Sequence, residues 1–307
     1  MILTVCLNPA IDITYRVPRL CHGATHRVEQ VRARAGGKAT NVARVLRQIG
    51  LAAELIAPVG GHTGEEFLAD LRSAGLPVHP VPLRQATRRS VTVFDGAVAT
   101  VLNEPGPLVS PAEWSAIRAA TAARLRAGDI VVLAGSAPPG CPPNAHGQLV
   151  GLAREQGARA IVDAQGGQLS AALPARPTVV KANREEVAAA LGRELGSMAE
   201  VMDAAAELQG HGAVAALVSC GAEGLVAVTS EGRWRAPVPE RISGNPTGAG
   251  DALTAALAAG LYHGLPWSRI LLDAVTVSAA AVATAVAGEI DMATRDRLRA
   301  AARVREV

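Results

Sequence analysis

Short apolar runs alternate with amphipathic stretches along nearly the whole chain, and this alternation restricts the fold more than any other feature. Residues 2–7, 54–58, 130–134, 160–163, 178–181, 214–219 and 225–229 read as strands. Between them, 41–49, 64–73, 111–126, 143–156 and 185–191 carry apolar residues at helical spacing; Val42, Val45, Leu46 and Ile49 share one face. Strand and helix repeated this often imply an α/β chain with a parallel sheet covered on both faces. Ligands of such sheets bind beyond the carboxyl ends of the strands. Two regions, 11–35 and 87–103, break the rhythm with alternating polar and apolar residues. Ser90 to Val101 reads as a hairpin turning at Asp95-Gly96. These segments are expected to form a small β appendage. With 307 residues, 49% of them hydrophobic, and no repeat or linker, one continuous body over 1–307 is expected.

The stretch Gly244-Asn245-Pro246-Thr247-Gly248-Ala249-Gly250-Asp251-Ala252-Leu253 carries the chemistry. Leu253, Ala256, Leu257, Gly260 and Leu261 continue it at helical spacing, so Gly248, Ala249 and Gly250 fall at a helix start. Such a tip offers unpaired N–H groups and the positive end of a dipole, and glycine lets an anion approach closely. Asp251 would repel a merely bound anion. It makes sense as a base taking a proton from a nucleophile while the N–H groups hold a phosphoryl group. Over four residues, a turn followed by an N-capping Asp would read the same.

Gly36-Gly37-Lys38-Ala39-Thr40-Asn41 repeats the device ahead of the next helical pattern. It lacks the spacing of a Walker loop and of a dinucleotide fingerprint. Together with Asp12 upstream, Asn41 offers an amide and a carboxylate that could fix several sugar hydroxyls. Lys181-Ala182-Asn183-Arg184-Glu185-Glu186 follows a strand and opens a helix. Asn183 reads either as its cap or, with Glu186 one turn on, as holding water around a magnesium ion. Ser219-Cys220-Gly221-Ala222-Glu223-Gly224 suits backbone passing close to a nucleotide, and equally a β-turn.

Several classes are excluded or disfavoured. Net charge is +3 with no dense basic run, and aromatics are 2%, which argues against nucleic-acid binding. Cys6, Cys21, Cys141 and Cys220 show no paired spacing. Residues 1–7 read as a strand rather than a signal peptide. Residues 271–288 are interrupted by Asp273, Thr276, Ser278 and Thr284 and read as a buried helix rather than a membrane span. No membrane partner and a cytoplasmic location are expected. No Gly-x-Gly-x-x-Gly follows the first strand, which disfavours a nicotinamide enzyme.

Four blocks in order, 36–41, 181–186, 219–224 and 245–251, resemble the ribokinase-like sugar kinases of the phosphofructokinase-B family. Leu7-Asn8-Pro9-Ala10-Ile11-Asp12, Leu102 to Pro107 and Ala134 to Gly140 resemble its 1-phosphofructokinase and tagatose-6-phosphate kinase branch. The resemblance implies a three-layer α/β/α fold with a central, mostly parallel sheet and a small β lid that often forms a dimer contact. It implies that Asp12, Gly36, Gly37, Asn41 and Ser136 contact sugar. Arg88 would hold the sugar's existing phosphate, with Lys38 as a second candidate. Asn183, Ser219, Gly221, Glu223 and Gly224 would line the nucleotide site, and Glu186 would organise magnesium through water. Asp251 would be the base and Gly248, Ala249 and Gly250 the anion hole. The implied reaction uses ATP with Mg2+ to phosphorylate a ketohexose phosphate, tagatose 6-phosphate or fructose 1-phosphate, in a homodimer. Ala39 replaces a usual glycine and Ala182 a usual proline, and neither change removes a functional group. Asn245-Pro246-Thr247 leans toward the tagatose version. Two other readings stay open: a kinase for an unphosphorylated sugar or nucleoside, and a silent sugar-binding regulator.

Overall fold

The computed structural model describes residues 1–95 and 98–307. The chain opens with β1 (Ile2–Val5), β2 (Ala10–Arg16), β3 (Gln30–Gly36), α1 (Lys38–Gln48), β4 (Ala53–Val59), α2 (Gly61–Ser73) and β5 (Val78–Pro82). Next come β6 (Arg88–Phe94), β7 (Ala99–Asn103), α3 (Pro111–Arg124), β8 (Ile130–Ala134), α4 (Ala145–Glu155), β9 (Arg159–Asp163), α5 (Gly167–Ala172) and β10 (Val179–Asn183). Then follow α6 (Arg184–Leu191), α7 (Met198–Gly210), β11 (Ala215–Ser219), β12 (Leu225–Thr229), β13 (Gly232–Ala236), α8 (Ala249–Tyr262), α9 (Trp267–Val282), α10 (Met292–Ala301) and β14 (Arg305–Glu306).

Ten strands form the central sheet in the order β14-β13-β12-β11-β10-β9-β8-β1-β4-β5. From β5 to β11 the neighbours are parallel; β12, β13 and β14 add antiparallel. Alternate strand residues face opposite layers. Ile130 and Val132 join one apolar cluster with residues of α1, α8 and α9, while Val131 and Leu133 join another with residues of α3, α4 and α7. From β1 the chain proceeds one way to β4 and β5 and the other way from β8 to β11. The carboxyl ends of β1 and β8 therefore flank the switch point, where such sheets open a crevice.

A second sheet, β3-β2-β6-β7, stands over that end. Asp12 lies opposite Arg34 on one side and Ser90 on the other, so the polar residues of alternate rows share one face. The turn expected at Asp95-Gly96 lies partly outside the described residues. The helix drawn over 41–49 begins at Lys38, because Gly37 (φ 99°) serves as N-cap and the first turn carries no apolar period. No helix among the described residues is long and apolar enough to cross a membrane.

Candidate active site

A cleft of about 1260 Å³ lies between the second sheet and the carboxyl ends of β1, β8, β9 and β10. Both glycine loops open into it.

The loop before α8 ends in Gly248 (φ 89°, N-cap), so Asp251 is the third residue of the helix and makes no capping bond. The alternative of an N-capping Asp is thereby removed. A Cβ on Gly248 would sit 2.8 Å from Cα of Ala287, so the turn needs glycine for both its dihedral and its space. The expected donor set changes in one respect. Ala249 N–H donates to Pro246 O at 3.1 Å, whereas the N–H groups of Gly248, Gly250 and Asp251 have no partner among the described residues. The free donors at the tip are thus those three.

Asp251 is buried, 6% exposed, and its Oδ2 accepts from Asn41 Nδ2 at 2.8 Å. That bond joins the two glycine loops. Burial and the nearby Asp163 carboxylate push Asp251 up to about 7, while Lys38, Asn41 and Lys181 pull the other way. A carboxyl poised near neutrality is suited to proton transfer.

Asp163 ends β9 and is fully buried. Its Oδ1 accepts from Lys38 Nζ at 2.9 Å, and its Oδ2 from Lys181 Nζ at 3.0 Å and Thr254 Oγ1 at 3.1 Å. Burial pushes this carboxyl up, but the two ammonium groups outweigh it and hold it at about 2. Lys38 sits 3.6 Å from Glu186 Oε1 as well; although burial works against its charge, its acidic neighbours raise its pKa. Lys181 is 3% exposed, and a Cβ on Gly250 would meet its Nζ at 2.7 Å. Two cations therefore lie beside the tip of α8. Sequence reasoning missed Asp163 and Thr254, and quoted Lys181 without a role. The available signal was an acid closing the otherwise apolar run Ala160-Ile161-Val162 at a strand's carboxyl end.

The other side of the cleft is built on β2, β3 and β6. Asp12 is pushed up to about 6 by burial, partly offset by Arg88, a bond from the Gly37 backbone and Arg34. A Cβ on Gly36 would lie 1.8 Å from Asp12 Oδ2, so Gly36 is what leaves room for that carboxylate. Arg88 donates from Nε to Asn8 O (3.3 Å) and from Nη1 to Glu104 O (3.2 Å). Ser136, after β8, accepts from Asn8 Nδ2 at 3.2 Å. Lys38 and Arg88, paired in the sequence reading, point to different groups.

Asn183 caps α6: Oδ1 accepts from Glu186 N at 2.7 Å, while Glu186 Oε2 accepts from Asn183 N at 2.9 Å. Both residues line the cleft. Ser219, Gly221, Glu223 and Gly224 lie outside its lining, at the end of β11, which is paired with β10 through Asn183 and Ser219. Glu223 pairs with Arg184. Gly224 (φ 93°) is required by the backbone of Ala236, 2.1 Å from where a Cβ would be.

This arrangement resembles known proteins along its full length. A profile of the pfkB family carbohydrate kinases matches residues 2–294. A 1-phosphofructokinase of Xanthomonas campestris pv. campestris is 37% identical over 265 residues, covering 84% of this chain and 83% of the relative. A 1-phosphofructokinase of Rhodobacter capsulatus is 38% identical over 259 residues, 83% of this chain and 82% of the relative. Among solved structures, phosphofructokinase-2 from Escherichia coli in complex with fructose-6-phosphate superposes with a TM-score of 0.90 at 29% identity, covering 97% of this chain and 98% of that one. A possible 1-phosphofructokinase from Thermotoga maritima gives 0.88 at 25% identity, over 100% and 99%. The chain has the ribokinase-like α/β fold and belongs to the pfkB family of ATP-dependent carbohydrate kinases.

Proposed function

We propose that the chain, as a single kinase unit over 1–307, transfers a phosphoryl group from ATP to a hydroxyl of a ketohexose phosphate, giving a bisphosphate and ADP. The observation that carries this reading is Asp251 beside the open tip of α8, bonded to Asn41 of the sugar-side loop. Asp251 accepts the proton of the attacking hydroxyl. The N–H groups of Gly248, Gly250 and Asp251, with Ala249 shaping the turn, bind the oxygens of the moving phosphoryl group. Lys38 and Lys181, held by Asp163, add positive charge on the same side. Asp12, Asn41 and Ser136 fix sugar hydroxyls around Gly36 and Gly37, and Arg88 grips the phosphate the sugar already carries. A planar guanidinium suits that task.

The nucleotide lies toward Asn183, with Ser219, Gly221, Glu223 and Gly224 beyond it along the strand ends. The oxygen donors here fit an outer-sphere magnesium role. Glu186 keeps Oε1 clear of its capping bonds, and Asn183 positions it. When bound, the ion neutralises charge on the nucleotide phosphates.

The relatives' names favour fructose 1-phosphate as acceptor over tagatose 6-phosphate. Steady-state ADP release with fructose 1-phosphate, fructose 6-phosphate, tagatose 6-phosphate and the free sugars tests the assignment. We further propose a cytoplasmic homodimer formed through the second sheet. That sheet's other face carries Ile13, Val91 and Leu102 in one cross-strand row and Tyr15, Val31 and Val93 in the next, with Val31 and Leu102 each 60% exposed. A face of this kind marks an interaction surface.

A further inference from the structure

Asn8 follows β1, at the switch point where the order of strands turns back, and is 5% exposed. Its Nδ2 donates to Pro105 O at 3.0 Å and to Ser136 Oγ at 3.2 Å, and its main-chain oxygen accepts from Arg88 Nε at 3.3 Å. Its Oδ1 is buried with no partner among the described residues. Gly106 (φ 99°) lies against that oxygen; a Cβ there would be 2.2 Å away. A buried acceptor left unpaired is a cost to stability, and folding alone would be served better by a side chain without it. What the residue does instead is join three segments, its amide holding the first two and its main-chain oxygen the third. These are the strap 104–107 returning from β7, the turn after β8 bearing Ser136, and the start of β6 bearing Arg88. The strap also supplies Arg88's second anchor, Glu104 O at 3.2 Å.

We propose that Asn8 is a positioning residue for acceptor recognition: its amide sets the hydroxyl of Ser136 directly, and the guanidinium of Arg88 through the strap that carries Glu104 O, at the spacing that reads a phosphorylated ketose. The inference rests on the phosphosugar reading above, so wild-type turnover is measured first. Absence of turnover with fructose 1-phosphate, fructose 6-phosphate and tagatose 6-phosphate overturns that reading and this proposal with it. Given turnover, Asn8→Ala is expected to raise KM for the phosphosugar about tenfold while KM for ATP stays within about twofold, the scale expected for one lost positioning bond. A fall in its Tm is expected to be modest, because Pro105 O and Ser136 lose their donor while the unpaired oxygen goes too, so the KM split carries the test. Asn8→Asp keeps the shape but loses both donors and should raise the same KM. Gly106→Ala, which forces Asn8 aside, gives an independent route to that effect. In a double-mutant cycle, Asn8→Ala should cost less in a Ser136→Ala background than alone. An unchanged phosphosugar KM in Asn8→Ala and Gly106→Ala overturns the proposal. So does a lowered Tm with equal losses for both substrates.

Discussion

Asp251 is held between opposing influences, and its behaviour with pH follows from them. Burial and Asp163 favour its neutral form, while Asn41 and two lysines favour the anion; the balance is about 7. As a base it works only deprotonated, so kcat/KM should fall on the acid side with an apparent pKa near 7, read from a pH–rate profile. Stability responds with the opposite sign. The folded chain binds this proton more tightly than the unfolded chain. Its contribution is therefore complete below the ordinary value of 3.8 and lost as pH rises through about 7. Asp251→Asn should accordingly gain Tm relative to wild type more at pH 8 than at pH 5. The same variant should bind ATP and sugar phosphate yet turn over roughly 10²–10⁴-fold more slowly. Gly36→Ala should act on the other substrate: its Cβ displaces Asp12, so KM for the sugar phosphate rises while KM for ATP stays unchanged.

At the scale of elements, function gathers at strand carboxyl ends and helix tips. Asp163 at the end of β9 shows how closely the two are tied. Asp163→Asn leaves the nearly fully buried Lys181 without its carboxylate and Lys38 with Glu186 alone, and should cost about 3–5 kcal/mol in chemical denaturation. Adding Lys181→Met should recover part of that stability and none of the activity. The central strands were legible because burial on both faces writes continuous apolar runs, and α1 to α4 and α6 because each carries an amphipathic period; α5, six residues long, and α7, whose buried face is largely small residues, were not. β5 was not, because Pro80 and Pro82 read as breakers; an edge strand tolerates them. Nor was α10, whose Arg295, Asp296, Arg297 and Arg299 leave only Leu298 buried. In the site, Asp251 and the glycines announced themselves by local spacing. Asp163 and Thr254 did not, since their meaning comes from partners brought together only by the sheet. Likewise, nothing local says that Pro246 occupies the Ala249 N–H or that Lys38 turns toward Asp163 and away from Arg88.

Across the whole molecule, a wide doubly covered sheet supplies a rigid floor and the small second sheet supplies a roof whose polar face carries Asp12 and Arg88. Its other face, with Val31 and Leu102 exposed, is where a second copy is expected to dock. Light scattering should report a mass near twice 31.4 kDa, and Leu102→Asp should shift it toward the single-chain value. The central claim concerns catalysis by Asp251 on a phosphorylated ketose, and its most direct measurement is ADP release with fructose 1-phosphate, comparing wild type with Asp251→Asn. Rapid wild-type turnover that far exceeds turnover of free fructose, and that falls at least about a hundredfold in the variant, is the expected result. Near-normal turnover by Asp251→Asn, or equal rates on free fructose and its phosphates, would contradict it.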